Sequence, residues 1–237
     1  MLSDPLHLVI LIVVCALLGI LSYIKRMFDF PGAVFAFFYG FVVGFFGGFE
    51  WLFIMLFFLF LSYGMTKLEF ESKKRRKVQE GKSGERGILN IVSNGLIPMI
   101  IAVFHPFMER NAATFLFTVA LATATADTFA SEIGTLSDRV YLITNFKKVP
   151  PGTNGGVSPL GTFASLIGAI NISAVSLAVM WGTYPIEYFV TSVFLGFIGC
   201  MVDSILGATL ENRGYIGKGT VNFLAIGIST LLALLFI

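Results

Sequence analysis

The sequence predicts an all-α, polytopic transmembrane bundle of about eight helices, with both termini on the non-cytoplasmic side. Three observations carry that expectation. Hydrophobic residues make up 56% of the 237-residue chain and charged residues only 13%, against roughly 25% charged in a soluble domain. A water-soluble fold of this size cannot hide so much apolar surface behind a polar shell. The apolar residues also fall in runs of about 20, the length of a bilayer crossing. Finally, the few cations gather on one side of those runs.

Eight runs qualify: 6–24, 31–48, 49–65, 88–104, 111–134, 158–181, 186–209 and 219–237. The first has no basic stretch before it and no small-residue cleavage site after it, so it reads as a mature helix rather than a signal peptide. Only Gly47-Gly48-Phe49-Glu50 separates the second from the third, which predicts a tight helical hairpin. One kinked helix over 33–63 is the alternative, but about 31 residues overshoot a single crossing. Cys15 and Cys200 fall inside apolar runs and read as small buried hydrophobes. The small residues Ala126, Ala130 and Gly134, and the set Gly199, Asp203 and Gly207, are spaced for close helix packing.

The cations fix the sidedness. Lys25 and Arg26 lie between the first two runs. Loop 66–87 with its flanks carries Lys67, Lys73, Lys74, Arg75, Arg76, Lys77, Lys82 and Arg86. Loop 135–157 carries Arg139, Lys147 and Lys148, and loop 210–218 carries Arg213 and Lys218. Of the 16 Lys and Arg residues, Arg110 alone falls on the other side. The positive-inside rule therefore places these loops in the cytoplasm. The run from Lys73 to Lys77 reads most simply as that topology signal and a contact for anionic lipid. Residues 1–237 read as one integral membrane domain. Composition excludes disorder, a basic nucleic-acid-binding domain and a disulfide-rich secreted module.

Ionisable groups inside a bilayer are costly and usually functional. Asp127 and Glu132 lie in the inner half of the fifth run and Asp203 in that of the seventh, with Glu211 just beyond. Arg86, Asn90 and Asn94 are spaced four apart and draw a polar stripe on one helix face. Lys218 and Asn222 repeat the spacing, and Lys67 ends the third run. Two carboxylates at that depth need a proton or a cation. The stretch Lys147-Lys148-Val149-Pro150-Pro151-Gly152-Thr153-Asn154-Gly155-Gly156 joins two cations to a Gly-rich turn whose N–H groups can cradle an anion. The helix beginning near Ser158 aims its positive end at the same place. Together these features suggest a Mg²⁺-nucleotide or diphosphate site, since Mg²⁺ takes one or two carboxylates plus phosphate oxygens. His7 and His105 lie at the outer ends of their helices, which disfavours a histidine base or a zinc site there.

At these residues the chain resembles the integral-membrane phytyl-phosphate kinase family, long catalogued as an uncharacterised membrane family. The matching blocks are Ala126 to Gly134, Ile143 to Ser158, Asp203 to Leu210, Thr66-Lys67 with Gly84-Glu85-Arg86, Asn90 to Asn94, and Val221-Asn222. Phe129 stands where Trp is expected and Glu211 where Gln is common. There is also a distant similarity to dolichol and phytol kinases and to CDP-lipid cytidylyltransferases. The resemblance implies a nucleoside-triphosphate-dependent kinase, preferring CTP, that converts an isoprenoid monophosphate to the diphosphate. On that reading Asp127 and Asp203 hold Mg²⁺, with Glu132 a third candidate. Lys147, Lys148, Gly152, Thr153, Asn154, Gly155 and Gly156 bind nucleotide phosphates. Arg86 and Lys67 clamp the lipid phosphate, while Asn90, Asn94, Asn222 and Glu211 orient ligands. The expected setting is the cell membrane with the site facing the cytoplasm; a homodimer is left open. A CDP-lipid-forming cytidylyltransferase and an ion or solute transporter are the alternatives. A transporter would place its site near the midplane between repeats, and the outer half of this chain carries almost no charge.

Overall fold

The structure is a computed structural model and describes residues 5–237. In hydrocarbon every backbone polar group needs an internal partner, so apolar runs of this length become helices. In chain order these are α1 (Pro5–Ile24), α2 (Phe30–Lys67), the short α3 (Phe70–Arg76), α4 (Ile88–Phe104) and α5 (Arg110–Gly134). The strands β1 (Tyr141–Leu142) and β2 (Gly156–Val157) follow as an antiparallel pair. Then come α6 (Pro159–Val179), α7 (Ile186–Leu206), a π turn at Gly207–Glu211, and α8 (Lys218–Ala233).

Seven of these helices are long and apolar enough to cross a bilayer. One of them crosses twice. The 38 residues of α2 are broken at Gly48, whose φ of 83° and ψ of −179° lie outside the helical region. That φ favours glycine. The two halves fold back on each other: a Cβ on Gly44 would meet the Leu52 side chain at 3.4 Å, and one on Gly40 would meet Met55 at 3.6 Å. Both ends of α2 then reach the same residue. The Asp29 N–H donates to the Arg86 carbonyl at 3.3 Å, and Arg86 Nη2 donates to Thr66 Oγ1 at 3.1 Å. The bend lies at the opposite end of the bundle. There His105 Nδ1 is 2.8 Å from the Phe46 carbonyl and Arg110 reaches Glu50 at 3.6 Å. The hairpin expected at Gly47-Gly48 is thus present, and the bundle has eight crossings.

Helix α5 is the central post, with 94% of its most apolar stretch buried. Its threonines hold it there. Thr118 donates to Ser176 of α6 at 2.9 Å, and Thr123 pairs with Ser229 of α8 at 2.7 Å. Hydroxyls glue helices where the hydrophobic effect between them is weak. The expected small-residue seams also form. A Cβ on Gly161 would meet the Ala130 carbonyl at 3.0 Å and the Gly134 Cα at 3.0 Å, so α5 and α6 touch backbone to backbone. Gly199 of α7 lies against the side chains of Thr123 and Ser229. Cys15 and Cys200 are free and buried. Three helix starts carry side-chain caps: Asp29 accepts from the Gly32 N–H at 2.8 Å, Glu109 from Ala112 at 2.7 Å, and Ser158 from Gly161 at 3.0 Å.

Candidate functional site

All of the polar loops meet at one end of the bundle, and beneath them lies a polar cavity of about 280 Å³. Helices α5, α7 and α8 supply its floor, and the 152–158 loop and residues 77–80 its rim. Asp127 and Asp203 face each other on this floor, close enough for their carboxyls to interact directly. Oδ2 of Asp203 is buried and has no hydrogen-bond partner. The cations whose charge reaches Asp127 are Lys218 and Arg86. Lys218 stands at the first turn of α8 and pairs with Glu80 at 3.3 Å. Glu211, on the π turn, and the buried Asn222 complete the wall.

Two consecutive tight turns shape the rim. Thr153 N–H bonds the Pro150 carbonyl at 3.3 Å, and Gly156 N–H bonds the Thr153 carbonyl at 2.9 Å. Gly152 and Gly155, at φ 83° and 71°, each occupy the third position of their turn. A positive φ at that position alone marks type II, which wants Gly there and accepts Pro before it. The Pro150-Pro151-Gly152 and Asn154-Gly155-Gly156 runs are therefore turn chemistry first. The second turn is seated on the π turn of α7: the Asn212 side chain donates to the Asn154 carbonyl at 3.0 Å. A Cβ on Gly155 would lie 2.5 Å from Ala208 and from the Ser204 carbonyl. Gly155→Ala is expected to lift the loop off α7. The left-handed backbone costs about 1–2 kcal/mol and the overpacking a further 1–3. An unchanged thermal midpoint in detergent, with unchanged nucleotide affinity, would refute this seating.

Several site expectations are corrected. Both oxygens of Glu132 are already occupied: Oε2 pairs with Lys73 Nζ at 2.6 Å and Oε1 accepts from the Thr66 hydroxyl at 2.7 Å. Glu132 edges the cavity, but its carboxylate is held by α3 and α2 rather than offered to a metal beside Asp127. Lys73, expected to face lipid, is fully buried. Lys147 and Lys148 are exposed on the β-hairpin and do not line the cavity. The hairpin turn explains this, because the Lys147 backbone pairs inward with Leu142 and Asn145, leaving its side chain outside. Lys67 donates to the Ser83 carbonyl and lies about equally near the Tyr63 and Phe70 rings. It holds the 81–86 turn. Arg86, Asn90 and Asn94 line a separate, apolar pocket beside the cavity. Arg86 is positioned by its backbone, paired with Met27 and Asp29, and by the Glu85 knot next to it. There the Ser83 hydroxyl and neighbouring N–H groups pull the Glu85 carboxyl down to about 2.

Two residues escaped the sequence reading of the site: Lys73, hidden by its basic run, and Glu80, which carried no signal. Lys218, read there through its spacing of four from Asn222, does line the cavity.

The residues fit a Mg²⁺ ion. Two half-buried carboxyls face each other, and one oxygen has no donor. A hard cation answers that arrangement. Among the described residues no group of three or more His, Cys, Asp or Glu is arranged to hold a metal. The rest of the coordination shell would come from phosphate oxygens and water.

Fold and site together define a polytopic integral membrane protein with a carboxylate-bearing polar cavity at one face. More narrowly, the chain belongs to the integral membrane protein DUF92 family, whose profile matches residues 13–226. The family resemblance read from the sequence blocks is borne out. An uncharacterized membrane protein of Methanocaldococcus jannaschii, MJ0933, is 32% identical, over 93% of this chain and 90% of its own length. Protein PGR of Arabidopsis thaliana is 27% identical, over 90% of this chain and 82% of that protein. Protein VTE6, chloroplastic, of the same plant is 27% identical, over 72% of this chain and 53% of that protein. No solved structure matches.

Proposed function

We propose that the protein is a membrane-embedded prenyl-phosphate kinase. It transfers the γ-phosphoryl group of a nucleoside triphosphate, with CTP expected, to an isoprenoid monophosphate. The observation that carries this reading is the facing pair Asp127 and Asp203, set under a double-turn loop at the loop end of the bundle. That is where a water-soluble nucleotide and a membrane-bound lipid head can meet. The one-sided cations support a cytoplasmic setting for this end, where nucleotides are.

The chemistry asks little covalent work of the protein. A phosphate monoester has a second pKa near 6, so the acceptor arrives largely ionised and needs no strong base. Its oxygen bonds the γ-phosphorus, the bond from that phosphorus to the β-γ bridging oxygen breaks, and the nucleoside diphosphate leaves. Asp127 and Asp203 would hold Mg²⁺, which when bound offsets charge on the phosphate oxygens. Lys218 adds positive charge from the α8 side of the cavity and Arg86 from the α4 side. The rim between Gly152 and Gly156 is held against the end of α7, which fixes the loop over the floor. Asn222 fixes the side of the donor facing α8. All of this is positioning and electrostatics, which together supply most of the rate in such reactions.

The test is a labelled-transfer assay on protein reconstituted in vesicles with a prenyl phosphate and Mg²⁺, run with CTP, UTP, ATP and GTP. Label from the γ-position should appear in a lipid diphosphate. Label from the α-position in the lipid would instead make it a CDP-lipid-forming cytidylyltransferase. Ion movement without any lipid product would make it a transporter.

A further inference from the structure

A second pocket lies beside the polar cavity, between α1, both halves of α2, and α4. Its walls are apolar, among them Cys15, Leu18, Met55 and Leu59. It also contains three polar atoms that are buried and unpartnered: Tyr39 Oη, Ser62 Oγ and Arg86 Nε. These side chains are 5%, 2% and 9% exposed. A buried polar atom without a partner costs free energy, and three around one apolar pocket ask for an occupant that is both apolar and oxygen-rich. Arg86 lies at the loop end, where its Nη2 bonds Thr66 and its charge reaches Asp127 in the adjoining cavity. From there the pocket follows Ser22 to Cys15 on α1 and Ser62 to Met55 on α2. Each is seven residues, about 10 Å at the helical rise.

Its cavity volume is about 60 Å³ and it is open on one side. Over that depth it is a narrow slot, which suits one lipid chain better than the two of a glycerophospholipid. The outer wall is α1, a peripheral helix that packs on α2 and has only 17% of its most apolar stretch buried. A chain can therefore enter from the bilayer without crossing the core.

We propose that this pocket is the acceptor site: it takes a single-chain lipid phosphate, with the head on Arg86 Nε and Ser62 Oγ and the chain between Leu18 and Leu59. The assignment rests on the kinase reading and adds to it the place of the acceptor. Arg86 would then stand between two sites, with its guanidinium on the acceptor head and Asp127 on its far side.

Leu18 and Leu59 are both half-buried, so a larger side chain at either can fill the slot while the helix keeps its lipid-facing freedom. The experiment uses the full chain in nanodiscs of saturated phosphatidylcholine and measures binding of radiolabelled geranylgeranyl phosphate without nucleotide. Leu18→Trp and Leu59→Trp should each weaken it at least tenfold. Leu231→Trp, on an exposed face of α8, should leave it unchanged. Ser62→Ala, which removes only a hydroxyl, should weaken it severalfold even if a tryptophan variant fails to fold. Thermal midpoint and CTP binding are read in every variant. Inorganic phosphate and geranylgeraniol, tried as competitors, should each displace the label poorly, since each supplies half of the ligand. Wild-type binding matched by Leu18→Trp, Leu59→Trp and Ser62→Ala would overturn the pocket assignment while leaving the kinase reading intact. Equal displacement by dipalmitoyl phosphatidic acid would also overturn it, as the slot would then be a general lipid groove. A wild-type protein that neither binds nor turns over the prenyl phosphate would fail the kinase reading itself.

Discussion

Asp127→Asn and Asp203→Asn are each expected to lower phosphoryl transfer by at least a thousandfold, with the bundle intact. The two residues come from different helices, and the structure brings their carboxyls together on the cavity floor. Asparagine keeps the shape and removes the charge. Loss of one anionic ligand strips the site of the field that offsets the phosphates, and removing single electrostatic groups of this kind costs about 10²–10³ in rate. A metal site with only two carboxylates has less to fall back on, so the upper end is expected. At roughly 1.4 kcal/mol per factor of ten, that is about 4 kcal/mol of barrier. Stability should move the other way. Two facing carboxylates repel in a half-buried setting, so either substitution should hold or raise the thermal midpoint in the absence of Mg²⁺, and should flatten the rise that Mg²⁺ produces in the wild type. A variant keeping more than a tenth of the wild-type rate would remove Asp127 and Asp203 from the chemistry. A variant that lost activity through a collapsed midpoint would mean the pair is structural.

What could be read in the sequence was what depends on the bilayer. Hydrocarbon admits only helices and closed barrels, and unbroken apolar runs of about 20 residues fit the helix, so they gave the spans. Because charge is scarce, keeping the cations of loops 25–26 and 66–87 on one side required two crossings between them, and α2 has them. The same scarcity exposed Asp127 and Asp203. What could not be read was where each cation in a crowded loop would point. Lys147 and Lys148 sit beside a Gly-rich turn in sequence, yet two type II turns carry the glycines to the cavity and leave the lysines outside. Lys73 lies in a run of four further cations, and a run of that kind satisfies the topology rule whether or not one member is buried. Its partner Glu132 is 59 residues away, and no spacing rule reaches across two helices and a loop. The Arg86-Asn90-Asn94 stripe was legible as a face, but only the packing of α1 against α2 made that face the wall of a pocket.

The largest stability effect is expected at Lys73 and Glu132. Lys73 Nζ makes three bonds: to the Met65 carbonyl at 2.8 Å, to the Thr66 carbonyl at 3.1 Å and to Glu132 Oε2 at 2.6 Å. The first two are carbonyls near the end of α2, which a helix leaves without partners of its own and which favour a cation. The third ties α3 and α2 to α5. Removing one member of a buried pair leaves the other charge uncompensated, at a cost of about 3–5 kcal/mol. Lys73→Met and Glu132→Gln should each destabilise the fold by that order, read as a lower thermal midpoint. Lys73→Met combined with Glu132→Leu should recover part of the loss, since neither member of the pair is then stranded, though Arg86 loses a neighbouring carboxylate and the two α2 carbonyls still lack their donor. Two single variants within 0.5 kcal/mol of the wild type would mean that water reaches the pair and that its burial is not what holds α3. The double variant also decides what Glu132 is for. If its carboxylate is spoken for by Lys73 and Thr66, the folded double variant should transfer phosphate within a few-fold of the wild type. If it folds and transfers nothing, Glu132 turns towards Asp127 during catalysis and belongs with the metal ligands after all.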